Sequence, residues 1–567
     1  MKLCFKKYFS IMTIILFLAA AFLLFTSQTS PRVQTAAGSV PFSKGVNFSR
    51  AFEAFNVQEI NVGLYDEQDF INVKSLGADV IRLYLGLHHL TLGAPDYRID
   101  PIVLRFLDTY VDWAEKYQIY IILDNQNWAI WEPGNNPGGG MLVTDSRSIE
   151  ILRKIWPQMA EHFKNRSQYV IYEIMNEPNN ISARDWNRVQ GEVLQSIRRI
   201  DPNRTIIVGG NEWNSINGLI SITPYRDNNL IYTFHFYDPF LFTHQGANWT
   251  VPALTSLSGV PFPYDRARMP QIPNDLRRTI EGLLRDYPND GSVEALTRKI
   301  DQAVTWSRRH NVPLYCGEFG AYMGASPNED RIRFYQIVTE ALNQRNISWS
   351  MHDYFFEFGL FNTPESRDFN SELNVDLARA IGFTPPPQRQ EPLRAGFTIY
   401  SDYFHKSIVS TYANPVFNQF DTNAADGDFA IRWANLRREA LFQIDFFYNL
   451  DLSALAQQGY ILEFKARTER PVQFQVFFQN PENASTIPWT MRFNINDRNL
   501  IPNGRWQTIR IPLRDMRDEG AWVEATQQWI QGRNQFNWRQ IKKLYFQSLE
   551  DQLDRTVWID SIRIVAP

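Results

Sequence analysis

Tyr169-Val-Ile-Tyr-Glu-Ile-Met-Asn-Glu-Pro178 reads as a buried β-strand that ends in a carboxylate. Val170, Ile171, Tyr172 and Ile174 form a short apolar run, as in a strand covered on both faces. The run stops at Asn176-Glu177-Pro178, because proline cannot donate to a ladder and biases the preceding residue away from helix. The carboxyl end of such a strand is where α/β barrels keep their chemistry. The alternative is a strand-end glutamate that merely pairs with an arginine. A second stretch, Val312-Pro-Leu-Tyr-Cys-Gly-Glu-Phe-Gly320, repeats the pattern and ends in Glu318.

Outward from these two strands the chain alternates. Strand-like runs at 45–48, 79–85, 119–124, 205–208, 230–237 and 347–352 are separated by segments of helical spacing at 66–76, 102–116, 148–163, 186–200, 293–309 and 331–344. Continuous apolar strands between amphipathic helices imply a parallel sheet with both faces covered. Eight such units predict an α/β (β/α)8 barrel over 39–384. The longest insertion, 238–291, follows the sixth strand, carries Trp249 and is expected to wall a cleft.

Two strand-end glutamates in one barrel form the minimal set for glycoside hydrolysis: one protonates the leaving oxygen, the other attacks the sugar. Asn176-Glu177-Pro178 and Gly317-Glu318-Phe319-Gly320, in that order, resemble glycoside hydrolase family 5, the cellulase family. The resemblance implies that Glu177 is the acid/base and Glu318 the nucleophile of a retaining enzyme, with carboxyl groups about 5–5.5 Å apart. It also implies that Asn176 holds the 2-hydroxyl of the cleaved sugar, and that His235 and Tyr237 line its subsite. Arg82 lies inside an apolar strand and needs an anionic partner. Glu173 is one choice; the resemblance suggests Glu318 instead.

The chain departs from the family pattern in two places. Where the family has histidines after its third strand, this chain has Asp124-Asn-Gln-Asn127, so Gln126 or Asn127 would meet a sugar hydroxyl without charge. Where the family has a tryptophan after its eighth strand, His352 stands, with Trp349 three residues earlier. Trp128, Trp131, Trp213 and Trp249 are candidate stacking platforms. No metal or cofactor is expected in the barrel; His88 and His89 are adjacent and would face opposite ways on a strand.

Pro385-Pro386-Pro387 opens a proline-rich linker over 385–395. Beyond it, at 396–567, the pattern changes to period two in about eight strands, which predicts an antiparallel β-sandwich or jelly roll. The segments 503–513 and 558–564 resemble carbohydrate-binding modules. Asp428 and Asp560 are candidate ligands of a structural Ca²⁺ there. A sandwich that only braces the barrel is the alternative.

At the start, Lys2, Lys6 and Lys7 precede an apolar run over 8–25 and a small, polar stretch to Gly38. Residues 1–38 read as a signal peptide or an uncleaved membrane anchor, so the rest is expected outside the cytoplasm. Only Cys4 and Cys316 occur, which excludes a disulfide framework in a mature chain. A net charge of -4 argues against a nucleic-acid partner, and 16 Trp with 24 Tyr suit a sugar binder. The expected function is that of a secreted, monomeric retaining endo-β-glycanase, foremost on β-1,4-glucan. The alternatives are a β-mannanase or other β-glucanase, and a glycan-binding protein without turnover.

Overall fold

The computed structural model describes residues 39–126, 146–389 and 395–567, less 407, 415, 439, 483–485, 525, 533 and 551–553. The expected leader and the candidates Asn127, Trp128 and Trp131 lie outside the described residues. Eight parallel strands, β1 (Lys44–Phe52), β2 (Val80–Leu85), β3 (Tyr120–Asn125), β4 (Val170–Glu173), β5 (Ile206–Gly209), β6 (Leu230–Phe236), β7 (Leu314–Phe319) and β8 (Ser348–Met351), close into a barrel in chain order.

The helices that cover the barrel follow from spacing and capping. Pro101–Tyr117 starts behind Asp100, whose side chain accepts from the Ile102 amide, with proline in the first turn. Its buried stripe, Val103, Phe106, Leu107, Tyr110, Val111 and Ala114, recurs at three- and four-residue steps and faces the strands.

Inside the barrel, period two sorts the side chains into layers. The lowest layer is apolar: Val80, Ile122, Ile171, Ile207, Ile231 and Tyr315 pack around Phe42, which enters from below. Two residues further along β2, β3 and β4 stand Arg82, Asp124 and Glu173, all fully buried. The lumen thus turns from hydrocarbon to charge within one layer, toward the carboxyl ends of the strands.

The C-terminal part has two antiparallel sheets, of seven and six strands among the described residues. Their inner faces meet through Trp433 against Phe442 and Phe474, and Phe464 against Phe546. All eight expected strands are present. Five more are 397–400, 408–414, 416–421, 517–523 and 528–530. At 517–523 and 528–530 the strands are largely exposed, so no alternation of apolar residues marks them.

Of the two expected calcium ligands, Asp428 pairs with Arg105 of the barrel, and Asp560 accepts from the backbone amides of Ala425, Asp426 and Ser561. Of the proline-rich segment, Arg389 and Gln388 hydrogen-bond back to Asn370 and Phe369.

The sandwich packs on the barrel beside the loop that follows β1. Phe106 meets Tyr403, Phe420 and Phe429, and Gln419 bonds the backbone of Gln58. At this seam Lys406 reaches Asp69, 2.9 Å away and almost wholly buried. Burial raises Asp69 to about 6, against the pull of Lys406. Its ionised form is therefore the disfavoured one in the fold, and the stability it contributes falls as pH rises through about 6. Replacing Lys406 with Met leaves that carboxylate without its closest cation. The expected cost is about 3 kcal/mol at pH 8 in a denaturant titration, and less at pH 5, where Asp69 takes up a proton. An equal loss at both pH values would contradict this account.

Candidate active site

Arg82 is the centre of the polar layer. Its Nε and Nη2 grip both oxygens of Glu173, at 2.7 and 2.9 Å. Its Nη1 reaches Oε1 of Glu318 at 2.7 Å and Oδ1 of Asn47 at 3.1 Å. Nη2 also donates to Oδ1 of Asn176 at 2.8 Å and lies 3.1 Å from Asp124. The two alternatives for Arg82 are thus both realised: the planar fork serves Glu173 and Glu318 together. One guanidinium faces three carboxyl groups. Burial pushes Asp124 well above the ordinary carboxylate range despite Arg82, so the cation does not have to balance three full charges.

Glu318 stands at the end of β7. There the pairing with β6 shifts register between Phe234 and His235, which sets His235 beside Glu318. Gly317 permits the close approach: a Cβ there would lie 2.9 Å from the Thr233 hydroxyl and 3.3 Å from the His235 ring. Each carboxylate oxygen of Glu318 is held by a tyrosine, Oε1 by the Tyr84 hydroxyl and Oε2 by Tyr237 at 2.7 Å. Burial alone would raise this carboxyl. Its neighbours His235 and Arg82 and the Tyr84 hydrogen bond hold it well below the ordinary range.

Glu177 sits opposite, partly exposed, with Oε1 2.6 Å from Nδ1 of His235. One oxygen of Glu177, Nδ1 of His235 and one oxygen of Glu318 all lie within 4.8 Å of one another. Burial raises Glu177 above its ordinary value, although His235 pulls the other way; the nearby Glu318 charge adds to the rise. The two carboxyls are therefore pushed apart in acidity by their surroundings.

The remaining candidates divide. Asn176, Tyr237 and His352 join this cluster; His352 stacks on Tyr84 with ring centroids 5.8 Å apart. Trp213 is 43% exposed at the rim, its amide bonded to the Pro178 carbonyl. Glu212, Trp213 and Asn214 all have positive φ, near 50–60°, so this turn is strained as functional loops often are. Trp249 of the insertion lies edge-on to Tyr322 and near Phe358, in loops beyond β7 and β8.

One expectation needs correction. Trp349 does not reach the cleft: it is fully buried, donates to Asn343 and packs on Phe319 and Phe383. Its parity on β8 turns it outward, to the helical layer. Gln126, at the end of β3, is buried like Glu318 and His235, and its amide nitrogen donates to Asp124. Sequence reasoning missed Tyr84, Asn47 and Asp124. Tyr84 had a signal, since it follows Arg82 by two on the same strand.

Comparison with known proteins gives the same assignment as the two glutamate motifs. The family described as Cellulase (glycosyl hydrolase family 5) matches residues 43–355. The chain belongs to glycosyl hydrolase family 5. Residues 422–566 match Carbohydrate binding domain 30, in agreement with the resemblance of the sandwich to such modules. Endoglucanase 3 of Fibrobacter succinogenes is 27% identical over 362 residues, covering 60% of this chain and 52% of that protein. Endoglucanase H of Acetivibrio thermocellus is 30% identical over 313 residues, 54% of this chain and 29% of its own length. Endoglucanase C of the same organism is 25% identical over 350 residues, which take in 60% of this chain and 99% of that protein. The chain thus spans about half of the first of these relatives and under a third of the second.

Arg82 cannot be removed without stranding buried carboxylates. Arg82→Met is expected to cost about 3 kcal/mol or more in a chemical denaturation curve. A loss below about 1 kcal/mol would mean that the cluster is not held by its charge balance.

Proposed function

We propose that this protein is a retaining endo-β-glycanase, foremost on β-1,4-glucan, with Glu318 as nucleophile and Glu177 as acid/base. The observation that carries the proposal is the carboxyl pair, with oxygens within 4.8 Å of each other and opposite shifts in acidity. Inverting enzymes need a gap of about 6.5–9.5 Å for a water between the groups. A carboxylate held low by Arg82 and two tyrosines suits attack on the anomeric carbon. A carboxyl raised by burial suits proton donation.

In the first step an oxygen of Glu318 bonds to the anomeric carbon while Glu177 delivers its proton to the departing glycosidic oxygen. Glu177, now a carboxylate, then takes a proton from water as that water's oxygen displaces Glu318. His235, at 2.6 Å, accompanies Glu177 through both charge states. The relatives' printed names, endoglucanases, support the choice of an endo-acting enzyme on glucan. The sandwich would hold the polymer near the cleft, and residues 1–38 would direct the protein out of the cytoplasm.

Reducing-sugar release from a panel of β-1,4-glucan, mixed-linkage glucan, β-mannan, xyloglucan and xylan tests the substrate. Release is expected to disappear in Glu318→Gln, and an early product of the inverted anomer by NMR would overturn the retaining mechanism. Glu177→Ala is expected to lose about 10²–10⁴-fold on polymer and far less on an aryl glycoside whose leaving group needs no proton. The pH profile of kcat/KM falls on the alkaline side as Glu177 loses its proton. Because His235 pulls Glu177 down, His235→Ala should move that limb to higher pH; a shift to lower pH would contradict the assignment.

A further inference from the structure

Tyr84 and His352 lie beside Glu318, and counting hydrogens fixes what each does. The Tyr84 hydroxyl touches two partners: Oε1 of Glu318 and, 3.0 Å away, Nδ1 of His352. A phenol has one hydrogen to give. Oε1 already accepts from Arg82 and belongs to a carboxylate held ionised, so it needs a donor from Tyr84. Turning the phenol proton to His352 would instead set two oxygen lone pairs against each other. The second hydrogen bond therefore runs the other way, from His352 Nδ1–H to the Tyr84 oxygen.

Burial keeps the His352 ring neutral near pH 7, its pKa lowered to about 4, so Nε2 carries no proton. Stacking at 9° on Tyr84 and contact with Phe358 hold the ring. Its backbone is held too: the His352 amide donates to the Phe319 carbonyl, and Asp353 is anchored by Ser49 and by the Tyr354 amide.

We propose that Tyr84 and His352 are positioning residues, forming a donor chain from His352 Nδ1–H through the Tyr84 hydroxyl to Oε1 of Glu318. With Tyr237 on Oε2, the chain fixes the plane of the attacking carboxylate. This role rests on the reading of Glu318 as nucleophile. His352 stands where the family pattern has tryptophan, so the chain is a property of this sequence.

The test is ¹⁵N NMR of histidine-labelled full-length protein at pH 7, with the His352 signal identified by its loss in His352→Gln. The expected wild-type signal is a neutral ring protonated on Nδ1. In Tyr84→Phe the signal should change toward the Nε2–H form, and kcat/KM should fall about tenfold with KM little changed, as for loss of one hydrogen bond to a charged group. His352→Gln should lower kcat/KM by a smaller factor, because Tyr84 keeps its own proton on Glu318. It also serves as the second variant if Tyr84→Phe does not fold. An Nε2–H ring in the wild type, or an unchanged His352 signal with unchanged kcat/KM in Tyr84→Phe, would overturn the chain. Activity retained in Glu318→Gln would overturn the nucleophile assignment and the positioning role with it; the tautomer would then still report on the hydrogen bonds alone.

Discussion

A single guanidinium buried in the barrel organises the site. Arg82 has no access to water, and a lone cation there would be too costly to keep. It is tolerated because Glu173, Asp124 and Glu318 converge on it from three other strands, with Asn47 and Asn176 completing its donors. The same contacts constrain those strands in return. Since a planar fork has fixed directions, the carboxyls can satisfy it only if β2, β3, β4 and β7 hold their register. Glu318 is thus placed by the charge balance of the core as well as by its own strand.

From that constraint the difference between the two glutamates follows. Glu318 is tied into the buried layer by Arg82 and by tyrosines on both oxygens, and is held acidic. Glu177 lies outside it, beyond the end of β4 at Glu173 and just before Pro178, with His235 as its close partner. Identical side chains acquire opposite shifts in acidity from a few ångströms of depth. The sandwich lies against the same end of the barrel, through Phe106 and the Lys406–Asp69 pair. The segment after β1 that it touches is continuous with Ser49, which anchors Asp353 beside His352.

Much of this was legible along the chain. The eight strands, the two glutamates and their order were visible because apolar runs and proline stops are local signals. Arg82 was visible as a charge in an apolar strand, and its two alternative partners were both correct because an arginine fork serves more than one carboxylate. Trp349 was misplaced because aromatic character says nothing about which side of a strand a residue occupies, and one residue of parity separates cleft from helical layer. Tyr84 went unnoticed for a related reason: its role depends on His352, 268 residues later in the chain.

By itself, then, the sequence determined the alternation of strand and helix, the residues that end each strand and the family. Those depend on hydrophobic period and on backbone chemistry that acts over a few residues. Only the tertiary structure decided which carboxyl is the more acidic, which aromatic rings face the cleft, and that Tyr84 and His352 meet beside Glu318. Burial, charge and the direction of a hydrogen bond depend on groups brought together from distant strands, and no local pattern encodes that convergence.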